Sequence, residues 1–268
     1  MIIAISGKIN SGKDTVGKII QYLTNKSNAY PFDLKSDYSY KSEWQIKKFA
    51  DKLKDIVCIL LNCTREQLEN REFKEKELGE EWWKIKSTMI HNDKFKTKDV
   101  IFYDYKYLSF LNNTITNLDK TQFISMNIEV IKTAPRLLLQ LLGTKCGRNI
   151  IHPNIWVNSL MSEYKLIKDT KVSEFLKAEG LPETMNGGKE YYPNWIITDM
   201  RFLNEMEAVK KRNGITIRVN RNLEESKDQH ESETELDNAE FDYVINNDGT
   251  IEELIEKVRE ILTKEKLI

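Results

Sequence analysis

A short apolar run from Met1 to Ser6 leads straight into Gly7, and Gly7, Gly12 and Lys13 then fall at the spacing GxxxxGK. From Val16 to Leu23 apolar residues recur at helical spacing, so strand, glycine loop and helix follow one another in order. This segment constrains the fold more than any other. Glycines let the backbone turn tightly enough to aim several N–H groups at one anion, and the N-terminus of the following helix favours the same charge. Lys13 is spaced to reach the terminal phosphates of a nucleotide, and ATP is the cosubstrate this pattern implies. A purely structural glycine turn is the competing reading, which the preceding strand and following helix disfavour.

Asp14 stands where many such loops place the hydroxyl that ligates magnesium directly, and Thr15 comes one position later. Either magnesium is held largely through water and an acidic group while Thr15 bonds a phosphate, or Asp14 only caps and orients the helix. The chemistry is expected to depend on Mg2+. Asp199 is a second acidic candidate, at the carboxyl end of the apolar "WIIT", where ligands gather in open α/β sheets. Two residues on, Arg201 has the planar fork that grips a phosphate bidentately. A local Asp/Arg pair stabilising the turn remains open beside the readings of Asp199 as a magnesium-water or acceptor ligand.

Further along, "FADKLKDIVCILLN" predicts an amphipathic helix starting near Asp51, and the charged stretch after it continues as mostly helical chain. The Tyr-, Asn- and Lys-rich span 84–132 reads as an insertion of short strands or loops. "TAPRLLLQLLGT" predicts a helix capped by Thr133, with Pro135 in its first turn and Gly143 near its end. Another helix follows Pro153, burying Ile155, Trp156, Leu160 and Met161. A strand ending at Asp199, a helix closing near Gly214, the strand "ITIRV" and a C-terminal strand, turn and helix complete the pattern. Strands alternating with amphipathic helices predict an α/β fold with a mostly parallel sheet covered on both faces. The expected organisation is one P-loop domain over 1–268, with a mainly helical region over 50–165 and a charged lid over 221–237.

The balance of 41 Lys plus Arg against 42 Asp plus Glu provides no global field for a nucleic-acid polymer or an anionic membrane. Cys58, Cys63 and Cys146 form neither a CxxC pair nor a zinc-knuckle spacing. With no bilayer-length apolar stretch and no cleavable leader, a cytoplasmic location is expected.

Taken in order, "SGKINSGKDT", "FADKLK", "TAPRLLLQLLGT", the tryptophan of "HPNIWVN", "TDMRFLNE", "HESE" and "VINNDGTIEEL" resemble the blocks of the phage deoxynucleoside monophosphate kinases, within the wider P-loop nucleoside monophosphate kinase group. The resemblance implies the three-layer P-loop fold and transfer of the ATP γ-phosphoryl group to a deoxynucleoside 5′-monophosphate (dNMP). It also accounts for Asp14, since "GKDT" is a form these kinases carry. By position it places Lys13 and Thr15 at the donor phosphates, with the amides of Asn10, Ser11, Gly12 and Asp14 lining the loop. Lys54, Arg136 and Arg201 become contacts to the acceptor phosphate or the transition state, and Gln140, Thr144, Trp156, Asp199 and Glu205 hold the acceptor's sugar and base. Arg221 closes over the transferring phosphate, with His230, Ser232 and Glu233 anchoring that closure. A homodimer and a host-cytoplasm location also follow from the resemblance. Dephospho-coenzyme A kinase, phosphomevalonate kinase and a noncatalytic nucleotide-binding regulator stand as rivals.

Overall fold

A computed structural model describes residues 1–25, 31–38, 42–91, 97–102, 123–168, 190–222 and 234–268. The chain divides into two compact units, the first formed by Met1–Lys52 with His152–Ile268 and the second by Leu53–Ile151.

The first unit is built on a five-stranded sheet. β1 (Ile2–Ser6), β2 (Trp44–Lys47), β8 (Asn194–Ile197), β9 (Ile215–Asn220) and β10 (Tyr243–Asn246) lie in the order β10-β9-β1-β8-β2, and every pairing is parallel. β1 is buried along its whole length, as an apolar strand covered on both faces must be. Alternate residues serve opposite layers. Ile3 and Ile5 pack with Val16, Ile19 and Ile20 of α1 (Lys13–Leu23), and with Leu254, Val258, Ile261 and Leu262 of the C-terminal helix Ile251–Lys264. Ile2 and Ala4 face the other way, toward Val157, Leu160 and Met161 of the helix Ile155–Met161 and toward Met206 and Val209 of the helix Leu203–Lys210. These layers form the expected three-layer α/β sandwich.

Chain direction in this sheet decides where ligands meet it. From β1 the chain goes to the β2 edge, whereas after β8 it crosses to β9 on the other side of β1. The order therefore reverses around β1, and the crevice at the carboxyl ends of its strands is the binding position of such sheets. The glycine loop leaves β1 into that crevice.

In the second unit, α2 (Asp51–Leu61, begun on the last two residues of the first unit), α3 (Arg65–Glu69) and α4 (Arg71–Glu75) precede an antiparallel sheet. Its strands β3 (Lys84–His91), β4 (Thr97–Phe102) and β5 (Phe123–Ile131) take the order β4-β3-β5, so most of the 84–132 insertion that is described here is one sheet. Thr133 is not the cap of the next helix, α5 (Pro135–Gln140). That place belongs to Ala134, held extended (φ −119°, ψ 160°) as the residue before a first-turn proline has to be. The Thr133 hydroxyl instead donates to the Trp82 carbonyl at 2.6 Å. Nor does the helix stop at Gly143: it continues as a π-helical segment from Leu141 to Ile151. Gly143 serves close packing, since a Cβ there would stand 2.8 Å from Leu53 Cδ2.

Remaining elements of the first unit are the helices α6 (Ile155–Met161), α7 (Leu203–Lys210) and α8 (Ile251–Lys264), and the paired strands β6 (Ile167–Lys168) and β7 (Glu190–Tyr191). β8 ends at Ile197, two residues short of the expected end, which releases Thr198 and Asp199 to work with their side chains. No helix among the described residues is long and apolar enough to cross a membrane.

Ile196 is fully buried in β8, between β1 and β2, and packs among Ile3, Val16 and Ile217 in the core. Truncation there removes apolar contact and leaves a cavity that close-packed neighbours fill only in part. Ile196→Ala should lower unfolding stability by about 2–5 kcal/mol in urea titrations; a change within experimental error would contradict this packing.

Candidate active site

The loop is shaped by residues that only its conformation explains. Asn10 has φ 64° and Gly12 φ 101°, both left-handed, and Gly12 is the residue from which α1 starts. A Cβ on Gly12 would lie 2.5 Å from Asn247 Nδ2, and one on Gly7 would lie 2.4 Å from Ser11 Oγ and 2.5 Å from the Val219 carbonyl. Both glycines of the motif are thus required by close approach, and Gly12 by backbone angle as well. Asn247, just past β10, donates from Nδ2 to the Ser11 carbonyl at 2.8 Å and fixes the loop from outside. Ser11 Oγ is buried without a hydrogen-bond partner.

Lys13 lies in the loop's interior at 8% exposure. Its ammonium donates to the carbonyls of Gly7 at 2.6 Å and Lys8 at 2.7 Å. Burial is the largest influence on its pKa, and with the repulsion of the Arg201 and Arg218 guanidiniums it outweighs attraction by Asp14 and Asp199, bringing Lys13 down to about 8. Arg201 and Arg218 thus act on Lys13 as like charges, and Asp14 and Asp199 as opposite ones. A cation held below its ordinary pKa beside two other cations is a site short of negative charge.

Asp14 answers part of that shortage. Its Oδ1 accepts from the Thr198 hydroxyl at 2.8 Å and pairs with Lys48 Nζ at 2.8 Å. Burial acts to raise its pKa, but Lys48, then Thr198 and Lys13, hold the carboxyl below the ordinary range. Thr15, next in the first turn of α1, is partly buried. Asp199 has a different employment: Oδ1 accepts from the Phe49 N–H at 2.8 Å and Oδ2 from the Ala50 N–H at 3.0 Å, so the carboxylate ties β8's end to the turn after β2. Glu205, only 2% exposed, likewise works on the backbone. Its Oε2 accepts from the N–H of Arg201 at 2.7 Å and of Phe202 at 3.2 Å, fixing the turn on which Arg201 is carried.

The remaining sequence candidates divide between the units. Trp156 is buried on α6 in the first unit, and Arg221 is exposed just beyond β9. In the second unit Lys54 donates to Glu69 at 2.5 Å, and Arg136 pairs with Glu75. Burial acts to raise the pKa of Glu69, yet Lys54 and Lys74 bring it to about 2. Gln140 ends α5 and Thr144 lies in the π-helical segment, both partly buried. The lid reading over 221–237 falls largely on 223–233, which with His230, Ser232 and Glu233 lie outside the described residues.

Three residues of this site escaped the sequence reading: Lys48, Arg218 and Asn247. Arg218 sits in β9 opposite Ser6, donates to Ser6 Oγ at 3.1 Å and to Asp237 Oδ1 at 2.6 Å, and lies over the Phe241 ring. Asp237 also meets Lys8 of the loop at 3.4 Å. The available signal was a single charge inside the otherwise apolar "ITIRV", because an ionised side chain in a buried strand needs a partner or a ligand.

A glycine loop carrying a buried lysine, set at the reversal point of a parallel α/β sheet, defines a P-loop nucleotide-binding protein. Within that class the chain belongs to the deoxynucleotide monophosphate kinase family, whose sequence model matches residues 1–258. It is 28% identical to the deoxynucleoside-5'-monophosphate kinase of Escherichia phage T5 over 80% of this chain and 73% of that one. It is 31% identical to the deoxynucleotide monophosphate kinase of Escherichia phage RB69 over 60% and 53% of the two chains, and 26% identical to that of Enterobacteria phage T4 over 97% and 98%. Kinase membership makes the chain a phosphotransferase with ATP as phosphate donor.

Phosphates entering the loop should return Lys13 to its charged form. At pH 8 the free ammonium, with a pKa of about 8, is about half protonated, so binding of an ATP analogue should take up about half a proton from this group. Calorimetry in buffers of different ionisation enthalpy reads this directly; a binding heat independent of buffer at pH 8 would contradict the lowered pKa of Lys13.

Proposed function

We propose that the chain transfers the γ-phosphoryl group of ATP to a deoxynucleoside 5′-monophosphate, releasing ADP and the deoxynucleoside diphosphate. The observation that carries this reading is the family match over 1–258, taken together with the buried Lys13 in its glycine cradle. An oxygen of the acceptor phosphate attacks the γ-phosphorus, and the bond from that phosphorus to the β,γ-bridging oxygen breaks. The acceptor oxygen is already anionic near neutral pH, so no general base is needed and catalysis is placement plus electrostatics.

In this reading Lys13 exchanges the Gly7 and Lys8 carbonyls for donor phosphate oxygens. Arg201 and Arg218 offset the charge that spreads over the equatorial oxygens. Asp199 and Glu205 position the turns after β2 and β8. Among the described residues no group of three His, Cys, Asp or Glu side chains converges as a metal cage. That suits magnesium, which keeps several waters and binds chiefly to substrate phosphates with one or two carboxylates. Asp14, through water, and the Thr15 hydroxyl are the groups that would hold it, since both oxygens of Asp199 already accept backbone N–H groups. The ion would supply positive charge to offset that of the donor phosphates.

The family resemblance supports reading Lys54, Arg136, Gln140, Thr144 and Trp156 as acceptor contacts, and Arg221 as part of the closure over the transferring group. The phage origin of the relatives supports action in the cytoplasm of an infected host. Free nucleotides are the substrates in this reading, and a homodimer is its assembly.

A magnesium-dependent ADP-release assay with separate dNMPs, ribonucleotides and dephospho-coenzyme A tests the reading. Turnover should be selective for one or more dNMPs. Turnover confined to dephospho-coenzyme A would reassign the acceptor, and ATP-analogue binding without turnover on any acceptor would contradict the enzymatic reading.

A further inference from the structure

Lys48 is the first residue beyond β2, at the carboxyl end of the sheet where the loop also lies. Its backbone is unusually constrained. The Phe49 and Ala50 N–H groups are taken by Asp199, the Lys48 N–H donates to Asp51 Oδ2 at 3.0 Å, and Thr198 N–H donates to the Lys47 carbonyl at 3.3 Å. Its side chain is 25% exposed, with the ammonium 2.8 Å from the carboxylate of the residue directly after Lys13. A surface lysine ordinarily samples many rotamers; here the turn and the ion pair together restrict where the charge can go.

We propose that Lys48 is a phosphate-contacting residue of this site, binding the acceptor's phosphate, and that Asp14 is the counter-ion on which its ammonium rests between acceptors. The inference rests on the kinase reading above. The sheet order supplies the side. The loop is tied through Ser11 to Asn247 beyond β10, on one flank of β1, whereas Asp14 meets Thr198 beyond β8 and Lys48 beyond β2, on the other. The donor's chain of phosphates occupies the loop and ends at Lys13. An in-line acceptor therefore approaches from the β8 and β2 flank, where Lys48 stands. A monophosphate dianion offers the ammonium more negative charge than one carboxylate does, so exchange from Asp14 to the acceptor is favourable.

The test compares wild type, Lys48→Met, Lys48→Gln and Lys48→Arg by steady-state kinetics with the preferred dNMP, and by direct titration with an ATP analogue. Methionine and glutamine should each raise the acceptor KM at least about tenfold while ATP-analogue affinity stays within about twofold, and arginine, which keeps the charge, should restore most of the loss. An unchanged acceptor KM in a folded Lys48→Met or Lys48→Gln protein overturns the assignment. So does an analogue affinity that falls as far as the acceptor's. Failure of the wild-type chain to turn over any dNMP overturns the kinase reading and this inference with it, whereas an active wild type with indifferent Lys48 variants overturns the inference alone.

Discussion

The ammonium of Lys13, buried in the loop that begins its own helix, is the interaction on which the remainder of the site depends. With 8% of the residue exposed and the nearest acceptors the carbonyls of Gly7 and Lys8, the charge has been taken out of water and given only partial compensation. Every neighbour can be understood by what it does about that charge. Asp14 and Asp199 attract it, Arg201 and Arg218 oppose it, and a polyphosphate would satisfy all the cations together. A phosphate entering the loop would draw the Lys13 ammonium off the Gly7 and Lys8 carbonyls and supply the compensation that its charge lacks.

The sheet makes this arrangement affordable. β1 is buried on both faces, so the loop at its end starts from a fixed strand, and Asn247 and Thr198 brace it from opposite flanks. Two carboxylates expected at the acceptor also hold backbone in place. Asp199 accepts two N–H groups from the turn after β2, and Glu205 accepts two from the turn that carries Arg201. Asp199 joins turns about 150 residues apart, whereas Glu205 fastens the turn just ahead of its own helix.

What the sequence revealed follows the range of the interactions involved. Strand, loop and helix around Lys13 were legible because glycine spacing, apolar period and the lysine lie within 23 residues. The parallel sheet was legible from alternating strands and helices, and family membership from ordered blocks. Lys48 and Asn247 were not, because each gains its meaning from a partner far along the chain: Asp14 for the first, Ser11 for the second. The expected Thr133 cap failed for a local reason, since Pro135 opens the helix and puts Ala134 in the capping position. Gly143 looked like a helix stop, but its missing side chain accommodates Leu53 and the helix runs on.

A crystal structure of the chain with a bisubstrate analogue, an adenosine and a deoxynucleoside joined through a polyphosphate, tests the central claim most directly. Lys13 Nζ should have left the Gly7 and Lys8 carbonyls and should lie about 3 Å from phosphate oxygens inside the loop. A lysine still bonded to those two carbonyls, with the polyphosphate bound elsewhere on the sheet, would contradict the account.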